Sequence, residues 1–364
     1  MKTFKRSHIS LRLRKKVDHS YPILIQPGLF AAIPKDIKKE ALGEKYCIIT
    51  DTNVKKLYGS DLMKELRKND IDATLISFQA GERNKNLKTV EKLTKEMVQL
   101  GHNRKSTVIA LGGGVVGDVA GFVASIYMRG IPFIQIPTTL VAMADSSIGG
   151  KTGVDLVSGK NLIGTFTQPK KVYIDPQVLS TLSTIQIRNG LAEIVKHGLI
   201  GNKKILKLLQ KNPKKASEGH TTIITQLLIE SCRVKARIVE QDEKEGHLRM
   251  ILNYGHSIGH AIEHASGYSL NHGQAVSIGI NLENRLAVDR KIQSPKQCER
   301  IEELLKSLKL PTRIPEKINR APILKALKHD KKNTSEHHTF TLLRRPGSPV
   351  VIRNITNKEV KAVL

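Results

Sequence analysis

Thr107-Val-Ile-Ala-Leu-Gly-Gly-Gly-Val-Val-Gly-Asp118 is the stretch that decides the fold. Thr107–Leu111 is a short apolar run with the composition of a buried strand. Gly112–Gly117 then satisfies G-x-G-x-x-G, and helical spacing continues to Met128. A glycine turn between a strand and a helix leaves backbone N–H groups open at the helix N-terminus. A pyrophosphate can sit there with no Cβ in the way. Taken alone the pattern is common at strand-to-helix turns. One part of the dinucleotide fingerprint is also missing, since no acid follows about 20 positions on and Ile131–Leu140 contains none. Asp51, at the end of an earlier strand, is placed by topology to hold a ribose. Asp118 is too close in sequence for that task.

The rhythm extends outward from this stretch. Tyr46–Thr50, Ala73–Phe78 and Ile131–Ile136 read as strands, and Val54–Lys68 and Leu87–Leu100 as helices. Such alternation predicts a parallel sheet covered by helices. Ile9–Leu13 and Tyr21–Phe30 suggest two short strands ahead of it. After about residue 180 helical patterns dominate: Asn189–Ile200, Lys203–Gln210, Thr221–Gln241, His256–Ala265, Ala275–Asp289 and Lys296–Lys309. Thr339–Leu343 and Val350–Arg353 flank Pro346-Gly-Ser-Pro349 as a hairpin, and Thr356-Asn-Lys-Glu359 fits a capping box. The expected architecture is α/β plus α: a Rossmann-like parallel-sheet domain over residues 1–180, then a mostly helical domain over 181–364.

The chain holds 60 Lys+Arg against 33 Asp+Glu, a net charge of +27. The excess is spread over both halves, so it is a surface property and not a tail. A field of this sign attracts phosphorylated metabolites, nucleic acid or anionic lipid. Aromatic residues at 4%, no Trp and no recognition motif argue against nucleic acid. No apolar run approaches the roughly 18 residues of a membrane span, and no signal peptide is apparent. Cys47, Cys232 and Cys298 are too few and scattered for a disulfide frame or a Cys-rich zinc site. They read as reduced thiols of a cytoplasmic chain.

Two further constellations carry chemistry. His256-Ser-Ile-Gly-His260 puts two imidazoles on one helical face, with His272 soon after. The protease pattern H-E-x-x-H is excluded by Ser257. Two histidines and a carboxylate would make an open zinc site, with Glu193 a candidate third ligand. The alternative is histidines satisfied by hydrogen bonds or solvent. Asp145-Ser-Ser-Ile-Gly-Gly-Lys-Thr-Gly153, followed by Gly159-Lys-Asn161, ends like a P-loop, but Asp145 stands where its first glycine should be. Lysines and backbone amides there still suit a phosphate or carboxylate.

These stretches together resemble the 3-dehydroquinate synthase family of sugar-phosphate cyclases. The likeness runs from about Ser20 to Lys332. It includes Gly81-Glu-x-x-Lys85, Gly112-Gly-Gly-Val-x-Gly-Asp118, Arg129-Gly130, Gln135-x-Pro-Thr-Thr-Leu140, Lys160-Asn161, Gly190-x-Ala-Glu193, Lys196, Asp242-Glu243, Arg249, Leu252-Asn-x-Gly-His-x-x-Gly-His-Ala-x-Glu263, His272-Gly273 and Asp330-Lys-Lys332. The resemblance implies an NAD- and zinc-dependent enzyme, with cobalt as the alternative metal. It would act on 3-deoxy-D-arabino-heptulosonate 7-phosphate by oxidation, phosphate elimination, reduction, ring opening and closure to 3-dehydroquinate. It implies Glu193, His256 and His272 as metal ligands, and Lys151, His260, Asp145 and Lys196 as the catalytic set. Lys151, Lys160, Asn161, Asn253, His260 and Lys331 or Lys332 would surround the phosphate, with Arg129 entering from the partner of a homodimer. Lys235 and Arg249 would take the substrate carboxylate. Asp51, Asn53, Glu82, Lys85, Gly113, Gly114, Val115, Asp118, Thr138 and Thr139 match the family's NAD positions.

The sequence departs from the family at Ser183-Thr-Ile-Gln186, where Pro-x-Arg-Glu is usual, and at Gln274, usually Glu. Both changes remove a carboxylate, and a catalytically weakened relative is one alternative. Another sugar-phosphate cyclase or an iron-type polyol dehydrogenase is a further alternative, although a simple dehydrogenase would need no phosphate cradle. The cations assigned to the substrate, at least five of them, should repel one another in an empty cleft and loosen it.

Overall fold

The computed structural model describes residues 18–157, 159–267, 269–328 and 337–364. The expected strand Ile9–Leu13 and the candidate residues Lys331 and Lys332 lie outside the described residues.

Eight strands lie before residue 175 among the described residues: β1 (Ile23–Ile25), β2 (Lys45–Asp51), β3 (Ala73–Phe78), β4 (Ser106–Gly112), β5 (Phe133–Pro137), β6 (Lys151–Leu156), β7 (Gly159–Phe166) and β8 (Val172–Ile174). Six of them form one sheet in the order β1-β8-β5-β4-β2-β3, and every pairing in it is parallel. The deciding strand, β4, is central and buried at every position. That is why it reads as an unbroken apolar run and not as an alternation. Helix α1 (Gly114–Ile126) leaves it directly. A Cβ on Gly121 would come within 2.5 Å of Thr152 and 3.2 Å of Phe133, so glycine lets α1 lie close to the sheet.

From residue 184 helices take over. The four that build the site are α2 (Thr184–Gly201), α3 (Thr221–Gln241), α4 (His256–Ala265) and α5 (His272–Asp289). The hairpin β9 (His337–Arg345) and β10 (Ser348–Thr356) packs on α5, and the Thr356–Glu359 capping box starts the last helix. One hydrophobic cluster joins Leu140, Met143, Ile148, Val172 and Ile174 to Leu191, Val195 and Leu228. The sheet and the helices therefore share a core and are not merely tethered. The Lys-rich stretch after residue 202 is an amphipathic helix, with Ile205, Leu206 and Leu209 buried and its lysines in solvent.

Three details depart from the sequence pattern. The Gly/Lys-rich segment that reads as a loop contains the antiparallel pair β6–β7. Its glycines hide the alternation: a Cβ on Gly153 or Gly164 would lie 2.4 Å from Ile163 O or 2.1 Å from Thr152 O. β8 has only three residues and pairs with β1 across almost 150 positions, so no local signal marks it. Val54–Lys68 is interrupted by a π-turn at Lys55–Gly59.

Helices α4 and α5 pack backbone to backbone. A Cβ on Gly279 would stand 2.0 Å from Gly255 O, and one on Gly259 would stand 3.1 Å from Ala275 O. Gly255 itself has φ +79° and turns the chain into α4. Gly279→Ala must push apart the two helices that carry His256 and His272. The expected cost is about 1–3 kcal/mol, read as an earlier urea midpoint with weaker metal binding. An unchanged midpoint would show that the helices separate freely.

Candidate active site

The carboxyl edge of the sheet gathers the dinucleotide-type residues. Thr50 pairs with Leu111 and Asp51 with Phe78, so Asp51 lies beside the Gly112–Gly114 turn. Gly112 pairs with Pro137, which brings Thr138 and Thr139 alongside. No side chain caps the start of α1, and its N-cap is Gly113. The backbone N–H groups of Gly114 and Val115 are thus the first of the helix and face this edge. A Cβ on Gly113 would meet Thr139 at 3.0 Å, and one on Gly114 would meet Ser146 at 3.0 Å. Thr138 Oγ1 is buried without a hydrogen-bond partner among the described residues. An uncapped helix start, a cradle that a Cβ would fill and an orphaned hydroxyl fit a bound dinucleotide. Asp51 Oδ1 accepts from Asn53 and Val54 N–H at 2.8 and 2.9 Å. Lys85 is buried and donates to Asp118 (2.6 Å) and Asn161 (2.5 Å). Burial lowers its ammonium, but Asp118 and Glu82 outweigh that and hold it charged.

The metal-type residues meet beside this edge. Glu193, on α2, has no exposed surface. Its Oε1 lies 3.2 Å from His256 Nε2 and 3.1 Å from His272 Nε2. The His260 ring stands 5.2 Å from that of His256 and 5.7 Å from that of His272. His256 and His272 are the first residues of α4 and α5, so the helix packing described above sets their separation. His256 Nδ1 lies 3.2 Å from Tyr254 O, and His272 Nδ1 lies 3.4 Å from Glu263 Oε2. Each outer nitrogen has an acceptor, which turns each Nε2 toward the shared carboxylate. That is the usual outer support of metal-binding imidazoles, and the donor set fits a divalent ion. Glu283 of α5 holds the start of α4 by accepting Gly255 N–H at 2.6 Å, and burial pushes its carboxyl up to about 8. Gly273 N–H donates to the Asn189 side chain, tying α5 to α2.

A second carboxylate, Asp145, stands next to the first. Its Oδ1 is 2.7 Å from Lys235 Nζ, 3.8 Å from Lys196 Nζ and 3.5 Å from His197 Nε2. Lys196 also pairs with Glu193 at 2.5 Å. Burial would raise both carboxyls, but Lys196 and its companions hold Asp145 and Glu193 well below the ordinary range. Arg249 is buried and donates to Gly149 O at 3.0 Å and to Glu243 O. A Cβ on Gly149 would stand 2.5 Å from that guanidinium, which explains the glycine.

Among the described residues, Lys151, Lys160 and Lys235 each face a carboxylate. Lys151 pairs with Glu245, which also accepts from Asn253 at 3.0 Å. Lys160 pairs with Glu263 at 2.9 Å and Glu82 at 3.2 Å, and so bridges the metal side and the dinucleotide side. Lys235 faces Asp145. Resident carboxylates thus offset part of the expected repulsion at Lys151 and Lys235. Arg129 stands apart from this group. It follows α1 and is exposed, with φ +71°. It lies at the far end of that helix, roughly 20 Å from the glycine turn.

Glu245, Glu263 and His197 were not assigned roles from sequence. Glu263 could have been found, because it lies on α4 close to His260. Nothing local marks Glu245, which meets Lys151 across 94 positions. Of the two family departures, Gln274 accepts Asn271 N–H at 3.0 Å and completes the capping box of α5, so the amide does the carboxylate's capping work. Gln186 is exposed in the first turn of α2.

A parallel sheet whose uncapped glycine turn lies beside a Glu–His–His cluster and a set of cations defines a two-part enzyme of the sugar-phosphate cyclase fold. Solved structures agree. The 2-deoxy-scyllo-inosose synthase complexed with carbaglucose-6-phosphate, NAD+ and Co2+ has a TM-score of 0.88 and 27% identity, covering 94% of this chain and 96% of that one. The 2-epi-5-epi-valiolone synthase of Streptomyces hygroscopicus subsp. jinggangensis, with NAD+ and Zn2+ bound, has a TM-score of 0.88 and 30% identity, covering 97% and 98%. The iron-containing alcohol dehydrogenase of Thermococcus thioreducens, at 13% identity and a TM-score of 0.68, shares the fold alone. The family description "3-dehydroquinate synthase N-terminal" matches residues 75–189, and "3-dehydroquinate synthase C-terminal" matches 190–333. The 3-dehydroquinate synthase of a Thermoanaerobacter species is 43% identical over 348 residues, which is 95% of this chain and 97% of that protein. That of Desulforamulus reducens is 40% identical with the same coverage. The chain belongs to the 3-dehydroquinate synthase family.

The metal cluster makes a pH prediction. Burial lowers the His272 imidazole, but Glu193 and Glu263 overcome this and hold it up at about 10. Without metal His272 is therefore protonated at pH 7, and a metal must displace that proton. Zinc affinity should rise about tenfold per pH unit below 10, with about one proton released per ion at pH 7. Calorimetry in buffers of different ionisation enthalpy measures that number. A value near zero would remove His272 from the ligand set.

Proposed function

We propose that this chain is a working 3-dehydroquinate synthase that binds NAD and a divalent ion, zinc or cobalt, between its sheet edge and its helical part. The observation that carries the reading is the meeting of Glu193, His256 and His272, linked through Glu263 and Lys160 to Glu82 on the dinucleotide side. When bound, NAD would take and return one hydride per turnover and the ion would stabilise charge on the hydroxyl being oxidised.

The chain's own residues would do the rest. Lys151, Lys160, Asn161, Asn253 and His260 would hold the phosphate, whose oxygens would replace Glu245 on Lys151 and Asn253. Lys235 and Arg249 would take the carboxylate, where a guanidinium fork suits two oxygens. Asp145 and Lys196 would orient ring hydroxyls and water. With the ring carbon oxidised, the neighbouring C–H would be acidified, and its proton would pass to an oxygen of the held phosphate as the C–O bond breaks, so that the phosphate would leave protonated. The cytoplasm is the proposed location, supported by three buried free cysteines and by the absence, among the described residues, of a helix long and apolar enough to span a membrane.

A homodimer completes this reading. Val98, Ile126 and Met128 form an exposed apolar strip around one recess beside Arg129. Burying it against a second copy would cover the strip and send Arg129 toward the neighbour's phosphate cradle.

Two experiments test the proposal. Phosphate release from the heptulosonate phosphate should require added NAD and should stop with a chelator and return with zinc. Release that ignores both would refute the assignment. For the dimer, Arg129→Ala and Lys151→Ala subunits should each be nearly inactive alone. Mixed, they should recover up to about half the parent rate per mixed dimer, because one of its two shared sites is intact. No recovery in purified mixed dimers would place Arg129 in its own subunit's site.

A further inference from the structure

His197 follows Lys196 on α2 and has no exposed surface. The proposed reaction gives it no task. Its Nδ1 lies 2.6 Å from Ser231 Oγ on α3, and its Nε2 lies 3.5 Å from Asp145 Oδ1. Neither His197 Nε2 nor Asp145 Oδ1 makes a hydrogen bond of good geometry among the described residues, so their 3.5 Å approach is a contact and not a formed hydrogen bond. A leucine would fill this buried space without the cost of hiding a ring nitrogen beside a charged carboxylate. The polar choice needs a reason.

The contacts decide which nitrogen carries the hydrogen. Burial lowers the imidazole, so the ring is neutral and has one N–H. Asp145 is ionised, held so by Lys196 and Lys235. A lone pair on Nε2 would face its negative Oδ1, whereas an Nε2–H donates to it. Nδ1 is then the acceptor, and the Ser231 hydroxyl donates to it. The donors point one way: the Ser231 O–H bonds to His197 Nδ1, and the His197 Nε2–H is aimed at Asp145 Oδ1 from 3.5 Å. Lys235 Nζ reaches the same Oδ1 and the Asp145 backbone O. None of these contacts uses Oδ2.

We infer that His197 is a positioning residue: backed by Ser231, it engages Asp145 Oδ1 and turns the carboxylate so that Oδ2 is presented to a ring hydroxyl of the substrate. The inference rests on the role proposed for Asp145 above. Without His197 the lysines keep the carboxylate in place, but rotation about its Cβ–Cγ bond is no longer held. Substrate still binds, while fewer bound complexes have the hydroxyl aligned. Such a defect appears in kcat more than in KM.

The test compares the parent with His197→Leu, His197→Gln and Ser231→Ala in steady-state phosphate release, alongside zinc content and melting temperature. His197→Leu should lose about 30-fold or more in kcat with KM within about threefold. His197→Gln can place an amide N–H near the Nε2 position and should stay within about fivefold of the parent. Ser231→Ala should lose about three- to tenfold in kcat, because the ring loses its backing. Equal losses for Leu and Gln, a loss confined to KM, or losses that track melting temperature would overturn the inference. If His197→Leu does not fold, an unchanged kcat in Ser231→Ala overturns it instead. A nitrogen-15 histidine NMR spectrum reads the tautomer without turnover: protonated Nε2 on His197 is expected, and protonated Nδ1 would refute the donor chain. A parent that releases no phosphate refutes the function proposed above, and the tautomer then judges His197 separately.

Discussion

Glu193 holds a full negative charge with no exposed surface, and the site is organised around that charge. Removing a carboxylate from water costs several kcal/mol even after relaxation. The protein offsets this by directing His256, His272 and Lys196 onto its two oxygens. Because these partners come from α2, α4 and α5, compensating one buried charge also fixes how three helices sit. The glycine contacts of α4 with α5 and the Asn189 bond of α2 to α5 serve the same end.

Asp145 repeats the arrangement one step toward the sheet. Lys196 touches both carboxylates, so the two anions and the cations around them form one network and not two sites. Farther out, Glu245 and Glu263 keep Lys151 and Lys160 in place. Each resident acid holds a cation near where an anionic substrate group would need it. Ion pairs that are mostly exposed contribute little, and most of the described lysines and arginines stand in solvent.

The dinucleotide edge depends on backbone rather than charge. Parallel register brings the ends of β2, β4 and β5 into line, and the loops that follow them converge there. Glycines at 113 and 114 matter because Thr139 and Ser146 stand where their Cβ atoms would be. Lys85 and Lys160 then join this edge to the metal side through Asn161, Glu82 and Glu263.

Much of this was legible locally. The burial of β4, the turn into α1, the i,i+4 placement of His256 and His260, and the Thr356 capping box each follow from spacing within about one or two helical turns. The family likeness extended that reading to residues with no local signal, such as Lys235. The chain by itself therefore determined its elements and the kinds of chemistry it could carry. Only the tertiary structure decided that β8 joins β1, that the Gly/Lys-rich segment is a hairpin, that Gln274 caps α5 in place of a carboxylate, and that resident acids occupy the cations of the cleft. The physical reason is range. Helix spacing and turn chemistry act between neighbours, whereas the partner of a buried charge is chosen by which distant side chain can reach it once the core has closed.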